Sequence, residues 1–274
     1  MAMRHNCGRN DSAADRIGPE YLAVGSRASA RRIAYLHRPA MSGTPRPGIV
    51  WLGGIKSHMR GTKASFLDRY AAQSGRAFLR FDYSGHGLSE GAFEFGTIGK
   101  WLEESLASIR RLTKGAQILV GSSMGGWLAL LAAQALMESG EAERLKGLVL
   151  LAPAVDFTEV LIYEKMPASA RAELMQNGMW LRPSGNGQPG NAITRLLIEE
   201  GRNHLLFGGA IHAPGPVHIL QGMKDNTVPW RHALTLVEKL DCGPVSLTLV
   251  KSGDHRLSRE EDLAQLASAV DAIG

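Results

Sequence analysis

The sequence predicts an α/β protein with a mostly parallel central sheet and helices on both of its faces. Two observations support this prediction. Short buried apolar runs alternate with longer segments of helical periodicity, and one Gly-Ser turn joins an apolar run directly to an apolar helix. Parallel strands covered on both faces are continuous apolar runs, and each needs a crossover to reach the next. With 274 residues, 44% of them hydrophobic, the chain can form one large domain.

The elements are predicted in chain order. Residues 1–20 show no apolar periodicity and are expected to be a disordered tail before a domain of residues 21–274. Strands are expected at residues 21–24, 32–37, 48–52, 77–81, 117–120, 147–153, 217–221 and 245–250, the first two as an edge hairpin. Helices are expected at residues 62–75, 97–113, 127–133, 231–240 and 260–273.

A long interval of about sixty residues separates the strands at 147–153 and 217–221. This is too long for one crossover, and it holds helical patterns around residues 158–180 and 192–206, so an inserted helical cap is expected at residues 154–214. Its apolar residues are expected either to line a channel for an acyl chain or simply to pack the cap onto the body. They are Leu161, Ile162, Met166, Leu174, Met175, Met179 and Trp180.

Charge and cysteine content exclude several classes. The net charge of +5 lies in residues 1–46, which hold eight Arg and three acids, while the rest of the chain is balanced, so a nucleic-acid partner is not expected. That N-terminus could be a tail or a weak organelle-targeting segment. No run of eighteen apolar residues exists, and stable membrane association is not expected. Cys7 and Cys242 have no metal-ligand spacing. We therefore expect a cytoplasmic protein without metal or cofactor.

The chemistry centres on the turn Gly121-Ser122-Ser123-Met124-Gly125, a G-x-S-x-G pattern between a strand and a helix. Here the chain reverses so sharply that strand and helix approach closely only if Gly121 and Gly125 lack side chains. Ser123 would then stand exposed at the end of the strand as a nucleophile, above the N–H groups of the helix N-terminus. The pattern also arises by chance in Gly-Ser turns, so it needs partners.

Those partners are found after other predicted strands. A Ser hydroxyl needs a base to take its proton and a carboxylate to orient that base. Asp225 and His255 each follow a predicted strand, and the chain order Ser123, Asp225, His255 is typical of this kind of turn. Asp254 and Asp156 are rival acids, the first adjacent to His255 and the second following the preceding strand.

An oxyanion hole is expected from the N–H of Met124, next to the nucleophile, and one N–H from the loop after residues 48–52. Ile55 is predicted to supply the second. Lys56, His58 and Arg60 lie just beyond it and could meet an anionic substrate, although solvated loop charges are a commoner explanation.

With these residues in place, the chain resembles the α/β-hydrolase superfamily over residues 30–273. Within it, the chain is similar to the subfamily of the mitochondrial palmitoyl-protein thioesterase, which also acts as an acyl-glucuronide esterase. The stretches that carry the resemblance are residues 59–64, 80–85, 121–127, 225–229 and 253–258. The resemblance implies a serine hydrolase cleaving ester or thioester bonds of small molecules or acylated proteins, with its triad at Ser123, Asp225 and His255.

Two departures from the family pattern matter, and three alternatives remain. Gly53-Gly54 stands where many members have His-Gly, and the N-terminus does not resemble a mitochondrial presequence, which favours a cytoplasmic, bacterial relative.

The alternatives are a short-chain carboxylesterase or acyl-glucuronide esterase, a peptidase or amidase, and a non-catalytic scaffold. The oligomeric state does not follow from the sequence.

Overall fold

The computed structural model describes residues 18–26, 29–43, 46–182 and 191–274. Its strands are β1 (Glu20–Val24), β2 (Arg31–Arg38), β3 (Gly48–Leu52), β4 (Phe78–Phe81), β5 (Gln117–Ser122), β6 (Leu145–Leu151), β7 (Met179–Arg182), β8 (Asn191–Thr194), β9 (Ile211–Ala213), β10 (Val217–Gly222), β11 (Leu240–Cys242) and β12 (Val245–Val250). Its α-helices are α1 (Thr62–Ser74), α2 (Ile98–Leu112), α3 (Met124–Glu138), α4 (Ala168–Asn177), α5 (Arg195–Gly201), α6 (Trp230–Lys239) and α7 (Glu260–Ile273).

Eight strands form the central sheet, in the order β1-β2-β4-β3-β5-β6-β10-β12. β2 is antiparallel to β1 and β4, and the other neighbours are parallel. Every residue of β3, β4 and β5 is buried, as a strand covered on both faces requires, whereas the edge strand β12 is mostly exposed or half-buried. The predicted fold class is confirmed.

Helices cover both faces of the sheet. α1 and α7 share one apolar cluster with one face, and α2, α3 and α6 share a second cluster with the other. α3 is buried on nearly all sides, which explains its run of Ala and Leu. In the described part of the chain, no helix is long and apolar enough to cross a membrane.

The segment between β6 and β10, residues 154–214, is here called the cap segment. It contains a π-helical turn at Phe157–Tyr163, the helices α4 and α5, the antiparallel pair β7–β8, and β9, which pairs with β11 of the body. Helix was expected at residues 179–180 and 192–194, but these residues form strands. Gly178 ends α4 in a left-handed conformation (φ 73°), and the chain continues extended as β7. Residues 183–190, the centre of the expected break, lie outside the described residues.

The N-terminal region is part of the sheet from Glu20 onward, one residue before the predicted domain start. Residues 1–17 of the predicted tail lie outside the described residues. Of the arginines in the basic stretch, Arg31 pairs with the buried carboxylate of Glu104 at 2.6 Å, and Arg38 pairs with Asp68 at 2.9 Å. Both arginines therefore form ion pairs within the folded domain.

Candidate active site

Ser123 occupies a strained turn between β5 and α3. Its φ of 54° and ψ of −120° are a combination that L-residues rarely adopt, so the surroundings must hold it. A Cβ on Gly125 would stand 2.6 Å from the carbonyl oxygen of Gly53, and one on Gly121 would stand 2.7 Å from the carbonyl carbon of Gly125. Both positions therefore require glycine, as the sequence predicts. The Ser123 N–H donates to the carbonyl of Leu151 at 2.9 Å, which ties the turn to β6.

The structure brings the three predicted strand-end residues together. His255 Nε2 lies 3.1 Å from Ser123 Oγ, and His255 Nδ1 lies 2.7 Å from Asp225 Oδ2. An ionised carboxylate only accepts hydrogen bonds, so Nδ1 carries the proton and Nε2 is free to accept the one on the serine hydroxyl. The Asp225 side chain is fully buried, whereas that of His255 is 28% exposed, so only the imidazole can be reached from solvent.

Asp225 is held as an anion by a set of donors. Its Oδ1 accepts from the N–H groups of Thr227 and Val228, both at 2.8 Å. Burial alone would raise the pKa of Asp225, but the hydrogen bonds from His255, Val228 and Thr227 outweigh it and lower the pKa below the usual value. Gln221 Nε2 also approaches Oδ2, at 3.2 Å. Sequence reasoning missed Gln221, although a polar residue inside an otherwise apolar strand is a signal that could have found it.

The two rival acids point elsewhere. Asp156 accepts hydrogen bonds from the N–H groups of Leu206 and Phe207, at 2.8–3.0 Å, and so anchors a distant part of the cap segment. Asp254 accepts from the N–H groups two and three residues after it, within its own turn. The geometry therefore selects Asp225 as the partner of His255.

The predicted oxyanion residues flank Ser123. Gly54 passes against Ser123, since a Cβ built on it would stand 3.3 Å from the Ser123 Cβ, and Ile55 follows at once. Ser57 holds this loop by donating from its N–H and its hydroxyl to the Gly54 carbonyl. Within the described residues, the N–H groups of Ile55 and Met124 have no acceptor. Both are available to an oxygen bound beside Ser123.

Two cavities meet at Ser123. The first, here called the apolar cavity, has a volume of about 100 Å³ and runs under the cap segment from Ser123 and Met124. Its walls are mainly apolar, and the principal residues are Ile55, Ala154, Phe157, Leu161, Ile162, Ile193 and Val228. Of the seven cap residues considered for an acyl channel, only Leu161 and Ile162 line it. Met166 and Leu174 are buried in the core, and Met175 and Met179 are exposed.

The second, here called the basic cavity, has a volume of about 610 Å³ and opens on the other side of Ser123, where His255 also lines it. Its charged and titratable residues are Lys56, His58, Lys63, His255 and Arg256. Sequence reasoning named Lys56 and His58, whereas it missed Lys63 and Arg256. Arg60, named with them, does not line this cavity.

No group of three or more His, Cys, Asp or Glu residues in the described ranges is arranged to hold a metal ion. The groups that the structure brings together at the site are a serine hydroxyl, an imidazole paired with a buried carboxylate, and two N–H groups without an acceptor.

Comparison with known proteins defines the class. The sequence model of the family described as serine aminopeptidase S33 (Hydrolase_4) matches residues 43–195, which include the turn at Ser123. The chain is a hydrolase that belongs to the α/β-hydrolase family.

Individual relatives narrow the comparison. The chain is 36% identical over 249 residues to bovine mitochondrial palmitoyl-protein thioesterase ABHD10, which covers 90% of this chain and 78% of the relative. The crystal structure of a putative hydrolase from Agrobacterium vitis S4 superposes with a TM-score of 0.89 at 47% identity, covering 93% of this chain and 98% of the other. Mouse α/β hydrolase domain-containing protein 10 superposes with a TM-score of 0.82 at 33% identity, covering 94% and 98%.

The same comparison corrects one expectation. The sequence favoured a cytoplasmic location, and this is wrong, because the similar thioesterases from cattle, mouse and human are named as mitochondrial proteins. The physical reason is that two cysteines without pairing spacing argue against a disulfide-rich secreted protein, but they do not distinguish one reducing compartment from another.

Proposed function

We propose that this hydrolase cleaves carboxylic ester and thioester bonds of acyl groups through a Ser123-His255-Asp225 triad. The observation that carries the proposal is the continuous chain of contacts from Asp225 Oδ2 through His255 to Ser123 Oγ, at 2.7 and 3.1 Å, at the mouth of an apolar cavity. A scaffold has no need of a strained serine aligned with a buried imidazole–carboxylate pair.

The proposed reaction has two acyl-transfer steps. His255 Nε2 takes the proton of Ser123, whose Oγ attacks the carbonyl carbon, while Asp225 stabilises the imidazolium. The N–H groups of Ile55 and Met124 hold the oxyanion, and each such donor is worth roughly 3 kcal/mol of transition-state stabilisation. His255 then gives its proton to the departing oxygen or sulfur. Water, activated by the same imidazole, releases the acyl group as a carboxylic acid.

The substrate class follows from the cavity and the relatives together. Apolar walls suit a hydrocarbon acyl chain, and the similar ABHD10 proteins are named palmitoyl-protein thioesterases. We therefore propose acyl thioesters, including those of acylated proteins, as substrates ahead of small esters. The mainly apolar walls place few polar groups where a peptide backbone would need them, which disfavours amide substrates.

The test is labelling by a fluorophosphonate probe, followed by hydrolysis of matched octanoyl thioesters, esters and amides. Wild-type protein should be labelled, and Ser123→Ala should lose labelling and at least about a thousandfold in kcat while remaining folded. Ser122→Ala is the matched control, because it removes the neighbouring hydroxyl and should retain labelling.

Labelling that persists in Ser123→Ala, or its absence from the folded wild type, would overturn the triad. Turnover of amides alone would favour the peptidase alternative, and a preference for acetyl over octanoyl groups would favour a short-chain carboxylesterase.

A further inference from the structure

One difference between the two cavities at Ser123 indicates which part of the substrate each cavity holds. His255 lines the basic cavity but not the apolar cavity. The group that leaves must receive its proton from His255 Nε2, so the leaving oxygen or sulfur lies on the side of the basic cavity. The acyl chain then extends the other way, into the apolar cavity.

The charged side chains that line the basic cavity are all positive. Lys56, Lys63 and Arg256 line it, and no Asp or Glu is among its lining residues. Lys56 lines both cavities, and its Nζ lies 4.8 Å from the centre of the Phe93 ring in the wall of the apolar cavity, whereas Arg256 lines only the basic cavity. Lys63 Nζ donates to the carbonyl of Arg256. Burial lowers the pKa of Lys63 to about 8, so it stays mostly protonated at neutral pH.

The acidic residues Asp254 and Asp262 lie close enough to Lys63 to raise its pKa, but neither lines the cavity. Asp254 accepts hydrogen bonds from the N–H groups of its own turn, and Asp262 pairs with Arg259 at 2.7 Å. The first turn of α1, Thr62–Ala64, also faces the cavity, and it has neither an acidic residue nor a side-chain cap. Its N–H groups add to the positive field of the three side chains.

We propose that the basic cavity binds an anionic group, a carboxylate or a phosphate, on the alcohol or thiol that leaves. This inference rests on the proposed function. Ser123 Oγ forms a bond to the carbonyl carbon, the bond from that carbon to sulfur or oxygen breaks, and the serine proton passes through His255 to the leaving atom. The thiol or alcohol departs with its anionic group unchanged, so Arg256, which lines the basic cavity alone, acts as a specificity-determining residue.

The test compares octanoyl thioesters that differ only in the thiol. The thiols are 3-mercaptopropionate, its neutral amide, 2-mercaptoethyl phosphate and, as its neutral counterpart, 2-mercaptoethanol. At low ionic strength kcat/KM should be about fivefold higher for each anionic thioester than for its neutral counterpart, and the difference should shrink with added salt. The carboxylate and phosphate arms show which anion the cavity prefers.

Arg256→Gln should reduce the ratio of kcat/KM for anionic over neutral thioesters about threefold, because one positive charge is removed from the cavity wall, and this ratio rather than either absolute rate is the measured quantity. Lys251→Gln is the matched control. It removes the same charge from the turn after β12, outside the cavity, and should leave the ratio unchanged.

Equal rates for anionic and neutral thioesters, or a ratio unaffected by Arg256→Gln, would overturn this inference and leave the proposed function standing. Failure of the wild type to cleave any of the four thioesters would instead contradict the proposed function.

Discussion

The body and the cap segment each bury an aspartate just beyond a strand of the sheet, and the two carboxylates have different hydrogen-bond partners. Asp225 follows β10, its Oδ1 accepts from two N–H groups of its own turn, and its Oδ2 faces His255 and Gln221. Asp156 follows β6, and both of its carboxylate oxygens accept hydrogen bonds from the N–H groups of residues about fifty positions later. In the proposed mechanism the first orients His255, whereas the second fixes the path of the chain.

The contrast extends to the two regions as wholes. In the body, close backbone packing sets the position of Ser123, and glycines are required where a Cβ would clash. In the cap segment, side chains such as Leu161 and Ile162 shape the wall of the apolar cavity, and the elements are short. If the proposed function holds, the catalytic geometry depends on backbone contacts that tolerate little change, whereas acyl selectivity depends on side chains that can vary.

The largest expected effect separates the two aspartates. Asp225→Asn should lower kcat about ten-thousandfold, because the amide favours the wrong imidazole tautomer. Asp156→Asn should keep kcat within about tenfold but lower the free energy of unfolding by about 1–3 kcal/mol, because its two amide hydrogen bonds lose a charged acceptor. Steady-state kinetics and urea unfolding measure both. Equal losses of kcat in the two variants would contradict the different roles inferred for the two aspartates.

An intermediate effect tests the contact between the regions. His232 of α6 packs its ring against Phe207 of the cap segment, with centroids 5.0 Å apart, and its buried Nε2 has no partner within the described residues. Burial lowers the pKa of His232 to about 4, although a backbone hydrogen bond with Val155 opposes the shift. As the pH falls, the imidazole of the unfolded chain is protonated before that of the folded protein. The contribution of the neutral, buried His232 to the free energy of unfolding should therefore be fully present above pH 6.5 and be lost as the pH decreases to 4.

Unfolding free energies measured at pH 7 and at pH 4.5 should show this loss, of up to about 3 kcal/mol, in the wild type and not in His232→Phe. His212→Phe is the control, since His212 is exposed and should leave the pH dependence intact. The same pH dependence in wild type and His232→Phe would show that this histidine is not held neutral.

The smallest expected effect concerns selectivity. Leu161→Trp should narrow the apolar cavity and reduce kcat/KM for long acyl chains relative to short ones, and Leu161→Ala should do the reverse. Each methylene of the acyl chain that gains or loses contact with the cavity wall changes the binding free energy by about 0.8 kcal/mol. This corresponds to close to a fourfold change in the ratio of kcat/KM for long over short chains. Hydrolysis of thioesters from two to sixteen carbons measures the profile. Met175→Ala, an exposed change in the same segment, should not alter it, and a shift there would argue against this assignment of the cavity.

Sequence patterns predicted the body of the fold well and the cap segment less well. Continuous apolar runs such as residues 48–52 are buried on both faces, so composition alone marks them as strands. Residues 179–180 and 192–194 have no comparable periodicity, and their pairing as β7 and β8 depends on a partner across the Gly/Pro-rich break. Short strands of this kind are decided by their tertiary surroundings.

What the sequence by itself determined is the order Ser123, Asp225, His255 at three strand ends and the glycines that the nucleophile turn requires. Hydrophobic periodicity and backbone sterics are local, so they can be recognised without a structure. Only the tertiary structure decided which of three aspartates faces His255, and that Lys63 of α1 meets Arg256 from the loop after β12. Those contacts join residues far apart in the chain, and no local pattern specifies how charges at such separations converge.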